Sequence, residues 1–304
     1  MAGLLREIEE VDIPLLHELM KLVFDDSEWI DIQRLGGMTN HSYKITRIDG
    51  NEYLVRIPGE GTEEMINRED ERKSTELACK LGIDSPLIYF GPDGCKVMRF
   101  IHNSQPMNEQ VMKTQEVIRQ AAGIFHKLHT CKVDTKVRFE VFEIAALYEK
   151  IIIDAGVSLY DDYSEIKQIV MDIKAEVDKD GEAPRVPCHN DCLVANWVLD
   201  GNGKLYLVDW EYSGMNEAMW DLSCLSIEAN YSERNDTELL NAYCGRESTV
   251  DEKKRFIAAK LYVDYLWTLW GLTRVSFDGQ FMQDYADERY SRLKKNIEAY
   301  RKIN

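Results

Sequence analysis

The sequence predicts an α+β protein with two lobes: a small N-terminal lobe made of an antiparallel sheet and a helix, and a larger, mainly helical C-terminal lobe. Short alternating runs joined by glycine turns fill residues 31–101, whereas helical periodicity dominates from Gln110 onward. A polar hairpin at residues 185–215 interrupts the helical part. We therefore divide the chain into an N-terminal domain, 1–101, and a C-terminal domain, 102–304.

The composition is that of an ordinary globular protein with an acidic surface. Of its 304 residues, 44% are hydrophobic and 30% are charged, and 37 Lys and Arg against 54 Asp and Glu give a formal net charge of -17. The excess of negative charge argues against nucleic acid or an anionic membrane as a partner. It suits a small cationic substrate. The sequence does not indicate an oligomeric state.

The chain shows no targeting or membrane signal. No apolar run is long enough to span a bilayer, and the first residues, MAGLLREIEEVDIP, place Arg and Glu where a secretory signal is apolar. We expect a cytoplasmic protein without membrane insertion. Its seven cysteines are scattered and odd in number, which predicts free thiols. Cys188 and Cys192 flank His189, but no second pair of ligands at zinc spacing accompanies them.

The N-terminal lobe is predicted to begin with a helix, a strand and a glycine turn. Apolar residues at helical spacing predict a helix over residues 4–24, interrupted near Pro14. A strand over residues 31–35 follows, and then the segment GGMTN at 36–40. Two glycines followed by small polar residues let backbone N–H groups approach phosphate oxygens, although a plain tight turn has the same composition.

Two hairpins and a helix complete this lobe. Alternating runs over 43–48 and 52–57 are joined by Asp-Gly-Asn, a strong hairpin signal. A helix is predicted over 67–81. A second hairpin joins 86–90 to 96–101 across Pro-Asp-Gly. The order hairpin, helix, hairpin is typical of one antiparallel sheet flanked by a helix.

The C-terminal lobe takes its core from helices. They are predicted over 121–129, 144–153 and 163–177. In the first of them His126 and His129 lie three residues apart, a spacing that permits metal binding. No third ligand lies at a suitable spacing, so we interpret the pair as packing residues.

The polar hairpin carries the chemistry. His189-Asn190-Asp191 is followed by Asn196, and Asp209 ends a second apolar run. The runs 197–199 and 205–208 predict two short strands, because Asp-Gly-Asn-Gly between them is a hairpin turn. The return strand brings the second aspartate back beside the asparagine. A hairpin of this kind holds three polar groups in a fixed relation.

Such a set suits phosphoryl transfer from a nucleotide. One aspartate can accept the proton of a hydroxyl group, while an asparagine and a second aspartate hold metal ions. The alternative is that Asp191, Asn196 and Asp209 are ordinary loop and cap residues. That alternative requires the spacing, the turn and both apolar runs to coincide by chance, so we favour the catalytic interpretation.

Together these motifs resemble the choline/ethanolamine kinase family, which has the protein-kinase-like fold, and within it the bacterial LicA-type choline kinases. The resemblance extends over residues 31–304 and implies ATP, Mg2+ and a small alcohol as substrate. It rests on GGMTN at 36–40, LVRI at 54–57, NREDE at 67–71, HND at 189–191 with Asn196, DWEYS at 209–213, MNEAMWDL at 215–222 and WTLW at 267–270.

The resemblance implies which residues bind the nucleotide. Arg56 stands where a protein kinase carries its phosphate-pairing lysine, and Glu71 is its expected acidic partner, unless Glu71 belongs to a solvated helix face. The linker between the lobes is expected to contact adenine through its backbone. The residues assigned to the nucleotide are Gly37, Met38, Thr39, Asn40, Arg56, Glu71, Arg99, Phe100 and Ile101.

The resemblance also implies the catalytic, metal and substrate residues. Asp191, Asn196 and Asp209 are the catalytic set, and Asn196 and Asp209 hold the metal. Trp267 and Trp270 share one helix face, and aromatic faces bind quaternary ammonium groups, which cannot donate hydrogen bonds. Two tryptophans at this spacing are also common in protein cores. The residues assigned to the substrate are Asp191, Glu211, Glu228, Tyr231, Trp267 and Trp270.

The implied function is ATP-dependent transfer of a phosphoryl group to the hydroxyl of choline. Departures from the protein-kinase pattern argue against protein substrates: no Gly-x-Gly-x-x-Gly loop is present, and Asp209-Trp210-Glu211 replaces Asp-Phe-Gly. Two alternatives stay open. One is a kinase for ethanolamine, another amino alcohol or an aminoglycoside; the other is a non-catalytic sensor of choline or nucleotide on the same fold.

Overall fold

The computed structural model describes residues 12–26, 28–35, 40–59, 66–105 and 107–303. The chain divides into two compact units: residues 1–106 with 196–212, and residues 107–195 with 213–304. The division predicted after residue 101 remains a prediction. Within the ranges given, no helix carries an apolar stretch long enough to cross a bilayer. All seven cysteines are free, which confirms the prediction of free thiols.

The elements in chain order alternate between short strands and helices of varied length. The first are α1 (Asp12–Phe24), β1 (Trp29–Arg34), β2 (His41–Arg47), β3 (Glu52–Ile57), α2 (Arg68–Lys80), β4 (Leu87–Phe90) and β5 (Lys96–Arg99). Next come α3 (Glu109–Met112), α4 (Gln115–His129), α5 (Val141–Asp154), α6 (Tyr163–Val177), β6 (Arg185–Cys188), β7 (Trp197–Leu199), β8 (Leu205–Leu207) and β9 (Gly214–Glu217). The last are α7 (Ala218–Glu228), α8 (Glu233–Cys244), α9 (Val250–Asp278) and α10 (Gln280–Tyr300).

The first unit is built on a five-stranded sheet of order β1-β2-β3-β5-β4 in which every neighbouring pair is antiparallel. Alternation along the strands gives the sheet one apolar face, which packs against α1 through Leu16 and Met20. Tyr43, Ile45 and Val55 are fully buried on that face. The fold class predicted for this part of the chain is confirmed.

Turn and cap chemistry set the ends of these elements. Asn67 accepts hydrogen bonds from two backbone N–H groups of the first turn of α2, as an N-cap residue does. Pro14 lies in the first turn of α1, where its missing N–H costs no helical hydrogen bond. The expected helix upstream of it, over residues 4–11, lies outside the described residues.

The β7–β8 hairpin belongs to the first unit, because backbone hydrogen bonds tie it there. The N–H of Leu207 donates to the Ile83 carbonyl over 3.2 Å, and the N–H of Gln105 donates to the Leu199 carbonyl over 2.9 Å. The hairpin itself matches the predicted strands and turn.

The second unit is a helical assembly around α9. This helix is buried along most of its length and packs against α5, α6, α7 and α10. The long α9 and α10 are joined by a single residue, Gly279, so they form a helical hairpin. Strands β6 and β9 of this unit form an antiparallel pair. Arg185 lies opposite Glu217 at one end, and Cys188 lies opposite Gly214 at the other.

Gly271 marks the close approach of α9 and α10. A Cβ added there would lie 2.8 Å from Cδ1 of Tyr285 and 3.2 Å from Cβ of Ala286. By contrast, a Cβ on Gly123, in the middle of α4, would meet nothing within 4 Å. Alanine substitution at Gly123 therefore tests helix propensity alone, whereas at Gly271 it also tests the packing of α9 against α10.

We expect Gly123→Ala to stabilise the protein and Gly271→Ala to destabilise it. In an open helix position alanine gains about 0.5–1 kcal/mol over glycine. At Gly271 the clash with the Tyr285 ring overrides that gain, at a cost of about 1–3 kcal/mol. Urea unfolding of the two variants beside the wild type measures both signs. Stabilisation by Gly271→Ala would show that α10 can move away at no cost.

Candidate active site

Arg56 is the centre of the charged site in the first unit. On β3 it alternates with Val55 and Ile57, whose side chains enter the apolar core, so the guanidinium points to the opposite face of the sheet. Lys96 on β5 is its direct cross-strand neighbour. The strand pattern therefore places two cations side by side on the face opposite α1.

Three carboxylates surround the guanidinium, which is only 4% exposed. Nη2 lies 2.8 Å from Oε1 of Glu71 and 2.9 Å from Oε2 of Glu211, and Nη1 pairs with Asp209. The ion pair predicted between Arg56 and Glu71 is thus present. Lys96 joins it, because its Nζ lies 3.2 Å from the same Glu71 oxygen.

Arg68 belongs to the same charge cluster, and Asn40 forms a hydrogen bond to it. Arg68 Nη1 lies 2.8 Å from Oε2 of Glu71 and 3.9 Å from Oε2 of Glu211. Asn40 Nδ2 donates to the same Glu211 oxygen over 3.2 Å. The charge cluster comprises Arg56, Arg68, Lys96, Glu71, Asp209 and Glu211, with three positive and three negative side chains.

Burial and neighbouring charges compete within the cluster. Burial opposes the charge of Arg56, but Asp209, Glu71 and Glu211 outweigh it and raise its pKa. Burial likewise opposes the charge of Glu71, yet Lys96 and Arg56 hold its pKa below the ordinary value. Burial and the neighbouring Asp209 raise the pKa of Glu211. Compared with Glu71, the carboxylate of Glu211 is therefore less fully compensated by the cations of the cluster.

Asp209 follows β8 in a constrained conformation. Its φ is 69°, in the left-handed region that Asp and Asn adopt more readily than most other residues. The N–H of Val208, the preceding residue, donates to the Asn196 carbonyl over 2.9 Å. The hairpin therefore brings the predicted metal residues Asn196 and Asp209 to neighbouring positions.

The side chain of Trp210 anchors the segment that follows. Its indole N–H donates to Oδ2 of Asp84 over 3.1 Å, and both residues are buried. Oδ1 of Asp84 accepts the backbone N–H of Ser85 over 2.6 Å. Burial raises the pKa of Asp84 to about 7. A buried aspartate thus fixes the residue between Asp209 and Glu211.

The carboxylates of the cluster fit a magnesium ion. Glu71, Asp209 and Glu211 can each offer an oxygen, and these atoms lie within 4.8 Å of one another. Carboxylate oxygens are the ligands that Mg2+ prefers. The donor set is therefore chemically suitable for Mg2+.

Asp221 holds the predicted catalytic loop in the second unit. Its Oδ2 and Oδ1 accept the backbone N–H groups of His189 and Asn190, each over 2.8 Å. Nε2 of His129 lies 3.1 Å from the same Oδ2. Burial opposes the charge, but His129 and the loop N–H groups hold the pKa of Asp221 below its ordinary value. An ionised, fully buried aspartate thus fixes the residues just before Asp191.

Asn190 takes a second set of bonds at a left-handed φ of 70°. Its carbonyl accepts the indole N–H of Trp220 over 2.9 Å, and its Oδ1 accepts Nδ2 of Asn216 over 3.0 Å. The N–H of Asp191 donates to Nδ1 of His189 over 3.3 Å. Because each residue around it is bonded, the loop presents Asp191 from a rigid support.

An aromatic cluster occupies the α9–α10 hairpin. The rings of Trp267 and Trp270 meet edge to face at 5.7 Å, and Trp270 meets Tyr285 in the same way at 5.7 Å. The Arg289 guanidinium lies over the Tyr285 ring at 4.5 Å. Arg289 in turn pairs with Glu228 through Nη2 and Oε1, 2.6 Å apart.

The aromatic cluster and the catalytic loop share one electrostatic environment. Burial raises the pKa of Tyr285, and the charges of Glu228 and Asp191 raise it further, whereas Arg289 lowers it. Tyr285, Glu228 and Asp191 all belong to the second unit, and Glu228 is tied to the aromatic cluster through Arg289.

Other predicted site residues have placements that bear on their roles. Glu211, assigned to the substrate, lies in the charge cluster with Arg56 and Asn40. Tyr231 donates its hydroxyl to the Met112 carbonyl over 2.7 Å, a bond that ties it to the end of α3. Gly37, Met38 and Thr39, assigned to the phosphates, lie outside the described residues.

In the segment predicted to contact adenine, two backbone N–H groups are already bonded within the first unit. The N–H of Arg99 donates to the Pro86 carbonyl over 2.9 Å, and the N–H of Phe100 donates to the Glu52 carbonyl over 3.1 Å. Adenine contacts from this segment are therefore expected from carbonyl groups or from Ile101.

Sequence reasoning missed several residues of these two regions. Lys96, Arg68 and Asp84 were not singled out, since their partners come from other elements. Asp221 lies in the quoted motif MNEAMWDL but received no role. Tyr285 follows the tryptophans on the next helix, and Arg289 lies one turn beyond it. Aromatic and arginine residues at i and i+4 are a signal, but a weak one.

These features define a phosphotransferase of the protein-kinase-like fold. In the first unit, an antiparallel sheet carries an arginine that is ion-paired with a helix glutamate and with an aspartate suited to metal binding. In the second unit, a loop among helices carries the proposed catalytic aspartate. The family model "Choline/ethanolamine kinase" matches residues 32–301. The chain therefore belongs to the choline/ethanolamine kinase family, and it is a small-molecule kinase.

Named relatives are similar over most of their length. The choline/ethanolamine kinase family protein from Mesorhizobium loti is 33% identical, with a TM-score of 0.78 and 88% of each chain covered. Choline kinase LicA from Streptococcus pneumoniae is 28% identical, with a TM-score of 0.79, covering 94% of this chain and 99% of that one. A structure of LicA in complex with AMP is also 28% identical, with a TM-score of 0.77, covering 94% of this chain and 98% of that one. Protein LicA from Haemophilus influenzae is 28% identical over 88% of this chain and 80% of its own length.

We expect Asp84→Asn to change how stability depends on pH. The folded-state pKa of Asp84, about 7, lies above the ordinary value of 3.8 because of burial. The folded protein then keeps this proton to a higher pH than the unfolded chain, so the stability contributed by Asp84 falls as pH rises from about 4 to about 7. The asparagine variant lacks this pH-dependent loss, so its free energy of unfolding rises relative to that of the wild type as pH increases across that interval.

Urea unfolding at a series of pH values from 5 to 8 measures this difference. Asp180→Asn, which changes an exposed loop carboxylate, controls for the loss of one charge. Parallel pH profiles for Asp84→Asn and the wild type would contradict the prediction.

Proposed function

We propose that this kinase transfers the γ-phosphate of ATP to the hydroxyl of choline and releases phosphocholine. The observation that carries the choice of choline is the aromatic cluster of Trp267, Trp270 and Tyr285 beside Glu228 in the unit that holds Asp191. The name of one relative, choline kinase LicA from Streptococcus pneumoniae, supports the same substrate.

The trimethylammonium group of choline has no N–H to donate. It is therefore held by aromatic faces, each worth about 0.5–2 kcal/mol. Trp267 is almost fully buried and supplies the deeper ring, whereas Trp270 is partly exposed and supplies the wall. Edge-to-face packing fixes the orientation of each ring, which presents ring faces without a further ordering cost.

Asp191 is the proposed general base. It accepts the proton of the substrate hydroxyl and orients that oxygen for in-line attack on the γ-phosphorus. The loop bonded to Asp221 keeps the carboxylate in place during this step. Since little covalent chemistry falls to the protein in phosphoryl transfer, positioning is its main contribution.

The charge cluster is the proposed phosphate and metal site. Asn196 and Asp209 would hold Mg2+, with Glu71 and Glu211 within reach of the same region. When bound, the ion neutralises charge on the phosphates. Arg56 supplies a positive charge to the phosphates, and Glu71 orients it with the help of Lys96. Asn40 and the preceding residues 37–39 would contact the phosphates through their backbone.

Ethanolamine remains the second candidate substrate, because the family includes both activities. Its ammonium group carries N–H donors and would favour an acceptor over ring faces. Glu228 is the principal ion-pair partner of Arg289 beside the aromatic cluster, and this pairing favours choline.

We expect turnover of choline with ATP and Mg2+, measured beside ethanolamine and an aminoglycoside, to be highest for choline. Asp191→Ala should lower kcat by about 10²–10⁴-fold while the fold and the melting temperature remain, because general-base catalysis typically contributes that factor. Asp180→Ala, an exposed carboxylate of the same unit, is the matched control. Nucleotide binding without turnover of any alcohol would identify a sensor instead.

We expect Trp270→Leu to raise the KM for choline by about tenfold while the KM for ATP stays within about twofold. One aromatic face contributes about that much to binding a quaternary ammonium. Trp270→Phe keeps a ring face and should retain most of the affinity. Initial-rate kinetics with each substrate varied in turn separates the two constants. Equal effects of Leu on both KM values would mark Trp270 as a packing residue only.

A further inference from the structure

We propose that Arg289 sets the preference of the substrate pocket for a fully methylated ammonium by keeping the Glu228 carboxylate occupied. The inference rests on the proposed function, because it concerns the choice between choline and ethanolamine. It makes Arg289 a specificity-determining residue that acts through Glu228.

The geometry shows an arginine built into the aromatic cluster. Arg289 is 4% exposed and lies on α10, with its guanidinium over Tyr285 and its Nη2 2.6 Å from Oε1 of Glu228, the last residue of α7. Tyr285 in turn packs on Trp270. The guanidinium of Arg289 therefore connects Glu228 to the aromatic cluster.

Glu228 is the principal partner of this cation. Nη1 of Arg289 also lies 3.6 Å from Oδ1 of Asp264, but Asp264 is bonded more closely by Arg292, at 2.7 and 3.0 Å. Burial opposes the charge of Arg289, yet Glu228 leads the interactions that raise its pKa. Arg289 therefore stays charged, and its principal ion pair is with Glu228.

The hydrogen-bond donors of Arg289 are incompletely satisfied. Among the described residues, Nε and Nη1 of Arg289 have no hydrogen-bond partner although both are buried. Leaving donors of a buried charged group unpaired is costly, and apolar residues would fill the space at no such cost. Arg289 helps to compensate the buried Asp264, and its contacts with Glu228 and the Tyr285 ring are the ones that bear on the pocket.

The bearing of these contacts on the pocket follows from how the two ammonium groups are bound. A primary ammonium needs acceptors for its N–H groups, and a free buried carboxylate would supply a charge-assisted bond. A trimethylammonium group needs ring faces and low competition from a nearby positive charge. Because Arg289 holds Oε1 of Glu228 and offsets its charge, the pocket offers a primary ammonium less negative charge and one acceptor fewer, whereas ring faces serve a trimethylammonium group, so it favours choline.

The test compares kcat/KM for choline and for ethanolamine in four forms of the full chain: wild type, Arg289→Met, Glu228→Gln and the double variant. Arg289→Met frees the carboxylate and should shift the ratio toward ethanolamine by about tenfold or more, the worth of one charge-assisted hydrogen bond. The double variant removes that carboxylate and should bring the ratio back toward the wild type.

A matched control lies one turn further along α10. Lys294 lies over the ring of Tyr290, four residues before it, at 4.5 Å, and pairs with Asp162 at 2.5 Å. Lys294→Met therefore removes a cation with the same two kinds of partner outside the aromatic cluster. It should leave the choline to ethanolamine ratio unchanged.

Several results would overturn the inference. An unchanged ratio in Arg289→Met does so, and so does a shifted ratio that the double variant fails to reverse, which would indicate general damage to the pocket. Should Arg289→Met not fold, Arg289→Gln takes its place, because it also removes the charge that holds Glu228. An unchanged choline to ethanolamine ratio in that variant would refute the proposal.

The wild type separates this inference from the proposed function. If it phosphorylates neither alcohol, or prefers ethanolamine, the proposed choline kinase activity fails and the Arg289 proposal fails with it. If it prefers choline and Arg289→Met keeps that preference, choline kinase activity stands and only the role of Arg289 is rejected.

Discussion

The buried guanidinium of Arg56 is the constraint on which the site of the first unit depends. A charged group taken out of water must be compensated by opposite charges and hydrogen bonds, or it destabilises the fold by several kcal/mol. Here α2 supplies Glu71, and the segment after β8 supplies Asp209 and Glu211. The ion pairs that allow Arg56 to be buried on the sheet therefore also fix the positions of the carboxylates suited to metal binding.

The second unit solves the same problem with the charges reversed. Asp221 is a fully buried anion, and backbone N–H groups of the loop, together with His129, compensate it. A carboxylate that accepts two backbone N–H groups is stable and directional, so the loop before Asp191 cannot rotate without breaking charge-assisted bonds. Each unit thus fixes its functional residues through one buried charge and its obligatory partners.

Local chemistry explains which parts were predictable from the sequence. Turn residues located β2, β3 and the β7–β8 hairpin to within two residues. The resemblance to kinases, and not a local pattern, singled out Glu71 as the partner of Arg56. The place of Lys96 depends on the pairing of β3 with β5, which no local signal specifies. Tyr285 and Arg289 depend likewise on how α10 packs against α9. Long-range contacts, not element identity, set the limit.

In the proposed function, attraction and selection of the substrate have separate physical origins. The net charge of -17 draws cations of every kind toward the protein, and it does so over about 8–10 Å at physiological salt. Such a field does not distinguish choline from ethanolamine, since both carry one positive charge. Discrimination needs short-range contacts, and there Glu228 is paired with Arg289 in the unit that holds Trp267 and Trp270. An acidic surface can therefore serve a pocket in which Arg289 offsets the charge of Glu228.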